Sequence, residues 1–540
     1  MIETVDPGLS RRKRRLTLVS VALGVVMVSL DGTVVHIANP TIARDLGSSM
    51  TDLQWVTNGY LLALAVTLIV GGRLGDRFGR RRIFVIGVAG FALASLGCGL
   101  SLSTPALIAF RVFQGFAGAL LVPNTLAILR SAFPPAELSR AIGTWGAASA
   151  FAAAAGPIVG GLLVEYLSWP AIFLLNVPIG LVAAVLAVRW IDESRAPGGA
   201  GRFDIAGAGA LAAALFVLVW ALTGALGRGW GYGAASAATA LILLVGFVAR
   251  QRSAPAPILP LSLFRSRALS VGVVLLVTGN LALYGVLFSI GLYMQNVHGY
   301  PPLETGVRLL PLMAVFTVSS PLAGRLTEKF GARWPLALGM ALLAASFFGL
   351  AGLSADSPYG QQWPWLILLG FGMGIVVVAG TETIIGAAPA RHSGVAGGLQ
   401  TTANQLGGVL GTTVFGTVIA TIVARTLPSE LRRADVPDAI AEQALAHTGL
   451  AEQGIAPLAA QTNELAVAAI TTATERAFMS GMHAVMWVGG GIALLSALLA
   501  LLIPARRSGT AAPEPTEVDW RGRGQRAGDS PSPRPPAPTA

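Results

Sequence analysis

Charge is what this chain has least of: only 12% of its 540 residues are Asp, Glu, Lys or Arg, about half the share of a soluble globular domain. One cysteine, Cys98, sits in an apolar run, which excludes an internal disulfide and a cysteine-ligated metal cluster. The histidines at 298, 392, 447 and 483 lie in loops or at the ends of apolar runs without metal-ligand spacing, and no metal or other cofactor is expected. No G-x-x-x-x-G-K-[ST] loop is present to cradle the phosphates of ATP. The G-x-S-x-G turn that presents a nucleophilic serine is missing too. No enzyme activity is expected.

What remains is apolar. Hydrophobic residues make up 54% of the chain, the mean hydropathy is +0.68, and the apolar residues fall in runs of about 20, the length that crosses hydrocarbon. Fourteen such runs are read near 16–38, 51–71, 83–103, 105–128, 141–164, 171–190, 205–226, 233–250, 268–293, 305–324, 335–353, 363–386, 395–424 and 478–503. The first follows a basic stretch, Arg11 to Arg15, but is too long for a signal peptide and lacks a small-residue cleavage site, so it reads as a retained helix. The net charge of +11 does not indicate nucleic-acid binding, because the basic residues lie in short loops between the runs. With the N-terminus inside, 29 of the 37 Lys and Arg residues fall on the cytoplasmic side and six outside, which orients both termini to the cytoplasm. The expected location is the cytoplasmic (inner) membrane, with the lipid bilayer as the first partner.

Two regions are not runs. Residues 425–476 are Ala-rich with scattered Glu, Gln and Arg, and read as an external, helical spacer. The tail 504–540 is rich in Pro, Gly and Arg and reads as disordered and cytoplasmic. Ahead of the first run, 1–15 is a basic cytoplasmic segment.

The pattern G-R-L-x-[DE]-[RK]-F-G-x-R occurs twice, from Gly72 to Arg81 and from Gly324 to Arg333, each time after an apolar run and on the cytoplasmic side. A positive-inside loop explains the charges but not the duplication. The copies divide the chain into six-helix halves of like orientation, 16–190 and 268–503, with two helices (205–250) inserted between them. Parallel halves of this kind belong to transporters whose site lies between them near the midplane.

Several short segments carry a more specific resemblance. Gly72 to Arg81 with Asp76, Arg77, Gly79 and Arg80 resembles the loop motif of the major facilitator superfamily, and Arg111-x-x-Gln114-Gly115-x-x-Gly118-Ala119 its helix-four motif. Gly156-Pro157-Ile158-Val159-Gly160-Gly161 is similar to the helix-five antiporter motif. Leu30-Asp31-Gly32-Thr33-Val34-Val35, ending at Pro40, resembles the helix-one motif of the fourteen-spanner drug:proton antiporters (the EmrB/QacA type). Gln54-Trp55-Val56 with Tyr60, Asn176-Val177-Pro178-Ile179-Gly180, and Phe203-Asp204 with Gly207 follow in the same order. The resemblance implies an all-α major facilitator fold and export of amphipathic or cationic drugs driven by protons. An exporter of a lipid or endogenous metabolite would use the same architecture. Whether an accessory envelope protein takes part stays open. The chain departs from the pattern at His36, where Asn is usual, and at Asn39, where an apolar residue is usual. It departs also at Trp169-Pro170 (usually Trp-Arg), at Asn404 (usually Arg), and at Glu382, an additional carboxylate.

Three charged side chains stand inside the runs as candidates for proton coupling. Asp31 has no basic residue within a helical turn and reads as unpaired; at the bilayer centre that costs about 2.5–3.5 kcal/mol. The alternative is a packing carboxylate bonded to Thr33 or the backbone. Arg111 cannot be deprotonated in practice and needs acceptors; the resemblance makes it a modulator of a nearby acid, whereas a structural ion pair would explain it equally. Glu382 could be a second proton site or a counter-ion for a cation, or could reach water at the cytoplasmic end. The segment Gly156-Pro157 with Gly160 and Gly161 allows close helix contact and a kink; the resemblance assigns it control of leakage. Trp55, Tyr60, Gln114, Tyr284 and Phe288 are candidates to line a substrate cavity, with core packing as the alternative.

Overall fold

The computed structural model describes residues 11–195, 204–224, 230–254, 257, 260–389, 393–457 and 464–504, and these are almost wholly helical. The first half comprises α1 (Arg11–Leu46), α2 (Met50–Phe78), α3 (Arg80–Gly99), α4 (Thr104–Ala132), α5 (Pro135–Tyr166), the short α6 (Ala171–Leu174) and α7 (Asn176–Trp190). Then come α8 (Ile205–Gly224) and α9 (Trp230–Ser253). The second half holds α10 (Arg267–Leu292), which ends in one wider turn (Tyr293–Val297), α11 (Pro302–Arg308), α12 (Leu310–Phe330), α13 (Arg333–Leu350), α14 (Tyr359–Gly386) and α15 (Ser393–Arg433). The small α16 (Asp438–Ala446) and α17 (Thr448–Ala451) lead into α18 (Glu464–Ala500). Among the described residues, 12 helical segments are long and apolar enough to cross a membrane, and Met50–Leu68 with Val70–Phe78, bent by 50°, would make a thirteenth. A shorter apolar helix covers Ala206–Leu222. The chain is a multi-pass membrane protein. Tail residues 505–540 lie outside the described residues.

The bend in α2 falls beside Gly71 and Gly72, and glycine pairs are a usual cause of kinks. A Cβ at Gly71 would run into the Ala119 carbonyl of α4, so the glycine also admits a close helix crossing.

Within 425–476, read above as a helical spacer, both ends are continuous with the flanking apolar helices. Helix α15 runs on to Arg433 and α18 starts at Glu464. The reason is packing: Ile419, Val423, Leu427 and Leu431 are buried at four-residue spacing, and Ile470, Ala473 and Ala477 are buried at spacings of three and four on the other side. Those stripes bury an apolar face that the scattered charges conceal in a hydropathy reading.

Asp204 explains the match at Phe203-Asp204 and Gly207. Its Oδ1 accepts the Gly207 N–H at 2.9 Å and Arg250 Nη2 at 2.5 Å, and its Oδ2 accepts Gln251 Nε2 at 3.1 Å. Burial pushes this carboxyl up, but the Arg250 and Gly207 hydrogen bonds outweigh it and hold the group below its usual range. One side chain thus caps α8 and ties it to α9. Helix α8 lies against α2 and α15, where Trp55 meets Phe216 and Trp220 at 5.6 and 6.0 Å between ring centroids.

The halves are stitched together at the end away from the repeated loops. Asn58 of α2 donates to Thr413 Oγ1 of α15 at 2.7 Å and accepts from Thr412, while Gln54 donates to the Thr413 carbonyl at 3.3 Å. Gln295 donates to the Ile37 carbonyl at 2.9 Å, and the Leu303 N–H of α11 to Glu165 Oε2 of α5 at 3.0 Å. Gln453, beyond α17, donates to the Ser48 carbonyl at 2.9 Å. Towards the other end, Cβ atoms at Gly143 and Gly146 of α5 and at Gly397 of α15 would meet nothing within 4 Å.

Candidate functional site

Asp31 is not unpaired. Arg111 of α4 donates to its Oδ2 in a buried ion pair, with both side chains at most 1% exposed. The partner escapes a search along one helix because it stands 80 residues away. Gln114, one turn from Arg111, donates to Asp31 Oδ1 at 2.8 Å and accepts from Arg111 Nη1 at 2.7 Å. Asn176 of α7 adds a third donor to Asp31 at 3.2 Å. Arg111 Nε donates to the Val56 carbonyl of α2 at 2.9 Å, and Gln114 Nε2 to Ser95 Oγ of α3 at 2.8 Å. The guanidinium lies over the Tyr60 ring at 4.2 Å and the Phe173 ring at 5.6 Å. Six helices, α1, α2, α3, α4, α6 and α7, therefore meet in the network built on this ion pair.

Local sequence makes that convergence possible. A Cβ at Gly115 would strike the Tyr60 carbonyl and lie 2.7 Å from Ala63 Cβ, so only glycine lets α4 come close enough to α2 for Arg111 to reach Val56. Burying two charges is costly, and removing one partner of such a pair costs about 3–5 kcal/mol because the other is left bare. The network holds the pair by satisfying both charges.

The Gly156–Gly161 segment of α5 is a joint between this carboxylate's helix and the second half. Cβ atoms at Gly156 and Gly160 would collide with Thr33 Oγ1 and, at 2.7 Å, with Val34 Cγ2 of α1. On the other side, a Cβ at Gly161 would come within 2.6 Å of Leu303 Cα, and one at Gly306 would strike the Pro157 carbonyl. Pro157 has no N–H for the Ala153 carbonyl four residues back. Thr33 Oγ1 donates to that carbonyl instead, at 3.0 Å.

A model of the Major Facilitator Superfamily matches residues 21–412. The chain belongs to that superfamily. It is 44% identical to the tetracenomycin C resistance and export protein of Streptomyces glaucescens, over 94% of this chain and 95% of the relative. It is 34% identical to the methyl viologen resistance protein SmvA of Salmonella typhimurium, over 89% and 97%. Among solved structures it is similar to a bacterial homolog of the human lysosomal transporter Spinster in an inward-facing, unoccupied conformation. That match has a TM-score of 0.60 and 19% identity over 91% of this chain and 98% of the other. The D-xylose-proton symporter matches with a TM-score of 0.59 and 14% identity, over 92% and 99%. Both sequence relatives are named as resistance proteins, the first also as an export protein, and the two solved structures share the fold.

In this major facilitator chain the repeated loop is a tight corner. Arg80 pairs with Asp76 at 3.1 Å. Gly79 has φ +115°, and a Cβ there would lie 2.5 Å from the Glu193 carboxylate. Glu193 accepts the Arg81 and Arg82 N–H groups at 3.1 and 3.3 Å, capping α3. Its counterpart Gly331 also has positive φ, +73°. A Cβ at Gly72 would be 3.5 Å from Pro123 of α4, and Arg77 lies over Phe78.

The remaining candidates separate. Tyr60 and Gln114 belong to the ion-pair network, and Tyr60 donates to the Val28 carbonyl at 3.2 Å. Phe288 is buried in a core to which both halves contribute. Tyr284 reaches from α10 to α1, with its ring 5.6 Å from His36. Trp55 packs against α8. Glu382 is not in the network: it is exposed on α14, beside Gly324 of the second loop copy. Asn176, which opens one of the family-like segments, and Ser95, whose only signal is a polar residue inside an apolar run, complete the network.

Proposed function

We propose that this superfamily member is a proton-coupled secondary exporter of amphipathic compounds, cationic drugs among them, across the cytoplasmic membrane. The buried Asp31–Arg111 pair carries the reading. While Asp31 is ionised the pair is neutral, with Arg111 Nε and Nη1, Gln114 Nε2 and Asn176 Nδ2 all donating to acceptors around it. A proton on Asp31 leaves Arg111 as a buried cation, at a cost of about 3–5 kcal/mol, and the cheapest relief is movement of α4 or α1. Because α1 is locked to α5 through Thr33 and Val34, and α5 to α11 through Gly161 and Pro157, that movement reaches the seam that closes one end. One proton entering down about 100 mV supplies about 2.3 kcal/mol, enough for a roughly fifty-fold gradient of a neutral substrate at 1.36 kcal/mol per decade.

In this reading the seam end faces outward, the repeated basic loops face the cytoplasm, and the conformation is open inward. The bent α2 and the shorter α8 both span, giving fourteen helices. Glu382, at the cytoplasmic end of α14, acts as a counter-ion that gathers cations. No cofactor is required beyond the proton gradient.

The test is growth inhibition across a compound panel, with and without the protein, followed by efflux in energised vesicles. The expected result is raised resistance and substrate extrusion that collapses on adding a protonophore. Extrusion indifferent to the protonophore would contradict proton coupling.

A further inference from the structure

The two positions at which α1 departs from the helix-one motif, His36 and Asn39, are also positions the fold leaves without hydrogen bonds. Both are 1% exposed. His36 Nδ1 and Nε2 and Asn39 Nδ2 and Oδ1 all lack a partner. The two residues are three apart, so they share a face of the helix. That stretch of α1 lies along α10 of the second half: a Cβ at Gly291 would be 3.1 Å from the His36 carbonyl. One turn on, Gln295 donates to the Ile37 carbonyl at 2.9 Å while its own Oε1 stays buried and unpartnered. The Tyr284 ring meets the His36 imidazole at 5.6 Å and 63°.

A buried polar atom without a partner carries a desolvation penalty, and natural proteins keep few of them. Five such atoms lie on two adjoining helices at the boundary between the halves; by helical rise His36 stands about 7.5 Å and Asn39 about 12 Å along α1 from Asp31. They point to groups that are satisfied by something other than the protein. The set is a mixture: a neutral imidazole offers one donor and one acceptor, a primary amide two donors and an acceptor, and Gln295 Oε1 a further acceptor. None carries a fixed charge, and the nearby Asp31 and Arg111 neutralise each other. The Tyr284 ring supplies an aromatic surface beside them.

We propose that His36, Asn39 and Gln295 Oε1 form a recognition site for the hydroxyl and carbonyl oxygens of flat, uncharged aromatic substrates, distinct from any site for permanent cations. The proposal deepens the exporter reading by naming a substrate class, and it rests on that reading only for the direction of transport. Binding is therefore measured apart from transport.

Calorimetry on purified protein uses two probes: danthron, a neutral dihydroxyanthraquinone, and methyl viologen, a flat dication without oxygen. Asn39→Ala installs the apolar residue usual in the motif, and His36→Leu removes both ring nitrogens. Each should lower danthron affinity relative to methyl viologen by about tenfold, the size of one or two lost hydrogen bonds. His36→Gln, which keeps a donor and an acceptor, should restore most of that ratio. The proposal is overturned if the wild type does not bind danthron, if all variants bind it equally, or if affinity for both probes falls in parallel. Transport of danthron by the same preparations in proteoliposomes then judges the exporter reading separately: binding without export would sink that reading and leave the site standing.

Discussion

The two halves share a loop motif and a helix order, yet they differ in what their centres hold. By the order of the repeat, α10 corresponds to α1 and α14 to α4. The first pair carries Asp31 and Arg111, buried and locked together. The second pair has no ion pair at its centre among the described residues; α10 instead offers Asn280, which donates to Asn404 Oδ1 of α15 at 2.9 Å. The one charge in α14, Glu382, sits exposed near its end. A neutral hydrogen bond is worth about 1 kcal/mol and is indifferent to pH, whereas a buried ion pair changes its energy by several kcal/mol when one partner titrates. On the function proposed above, this difference is a division of labour: the first half would hold the element that responds to protons, and the second half would answer through the seam.

The largest effect should come from Arg111→Lys. Lysine keeps the charge but loses the planar fork that reaches Asp31, Gln114 and the Val56 carbonyl together. Uphill transport should fall at least tenfold at normal expression, measured in vesicles; near wild-type transport would mean that charge alone suffices. Next comes Gly156→Ala, whose methyl would collide with Thr33 Oγ1 and break the bond to Ala153. Overpacking of this kind costs about 1–3 kcal/mol, visible as a lowered unfolding temperature together with slower transport. In the second half, Asn280→Ala should cost only about 1 kcal/mol and leave the pH dependence of transport unchanged; a shifted pH profile would break the asymmetry between the halves.

The smallest effect concerns the segment after α17. Burial of Glu452 raises its carboxyl to about 7. Because the folded value lies above the ordinary one of 4.5, the segment is fully stable below that ordinary value and loses stability as pH rises through about 7. Hydrogen exchange over residues 448–456 should therefore speed up between pH 5 and 8 beyond its intrinsic rate. In Glu452→Gln that excess should vanish.

Much of this was legible in the sequence. Apolar run length marked the helices, the duplicated Gly72 and Gly324 loops marked the halves, and Asp31, Arg111 and Gln114 stood out as polar residues in apolar runs. What could not be read was who touches whom. Asp31 looked unpaired because its partner is near in space and distant along the chain. The C-terminal end of α15 and the start of α18 read as a separate helical spacer because their charges mask a buried stripe continuous with the spans. The role of Thr33, filling the carbonyl that Pro157 leaves open, requires two helices to be placed side by side. His36 and Asn39 were visible as departures from a motif, but their lack of partners is a property of the packed molecule.

The claim that Asp31 is the proton-responsive group of the whole chain is tested most directly by Asp31→Asn in proteoliposomes, where exchange of a substrate at equal concentrations and its uphill movement driven by a pH gradient are measured side by side. Asparagine keeps an acceptor for Arg111 and Gln114 but cannot take up a proton. The account predicts that exchange persists while pH-driven accumulation is lost; accumulation at the wild-type level in the asparagine variant would contradict it.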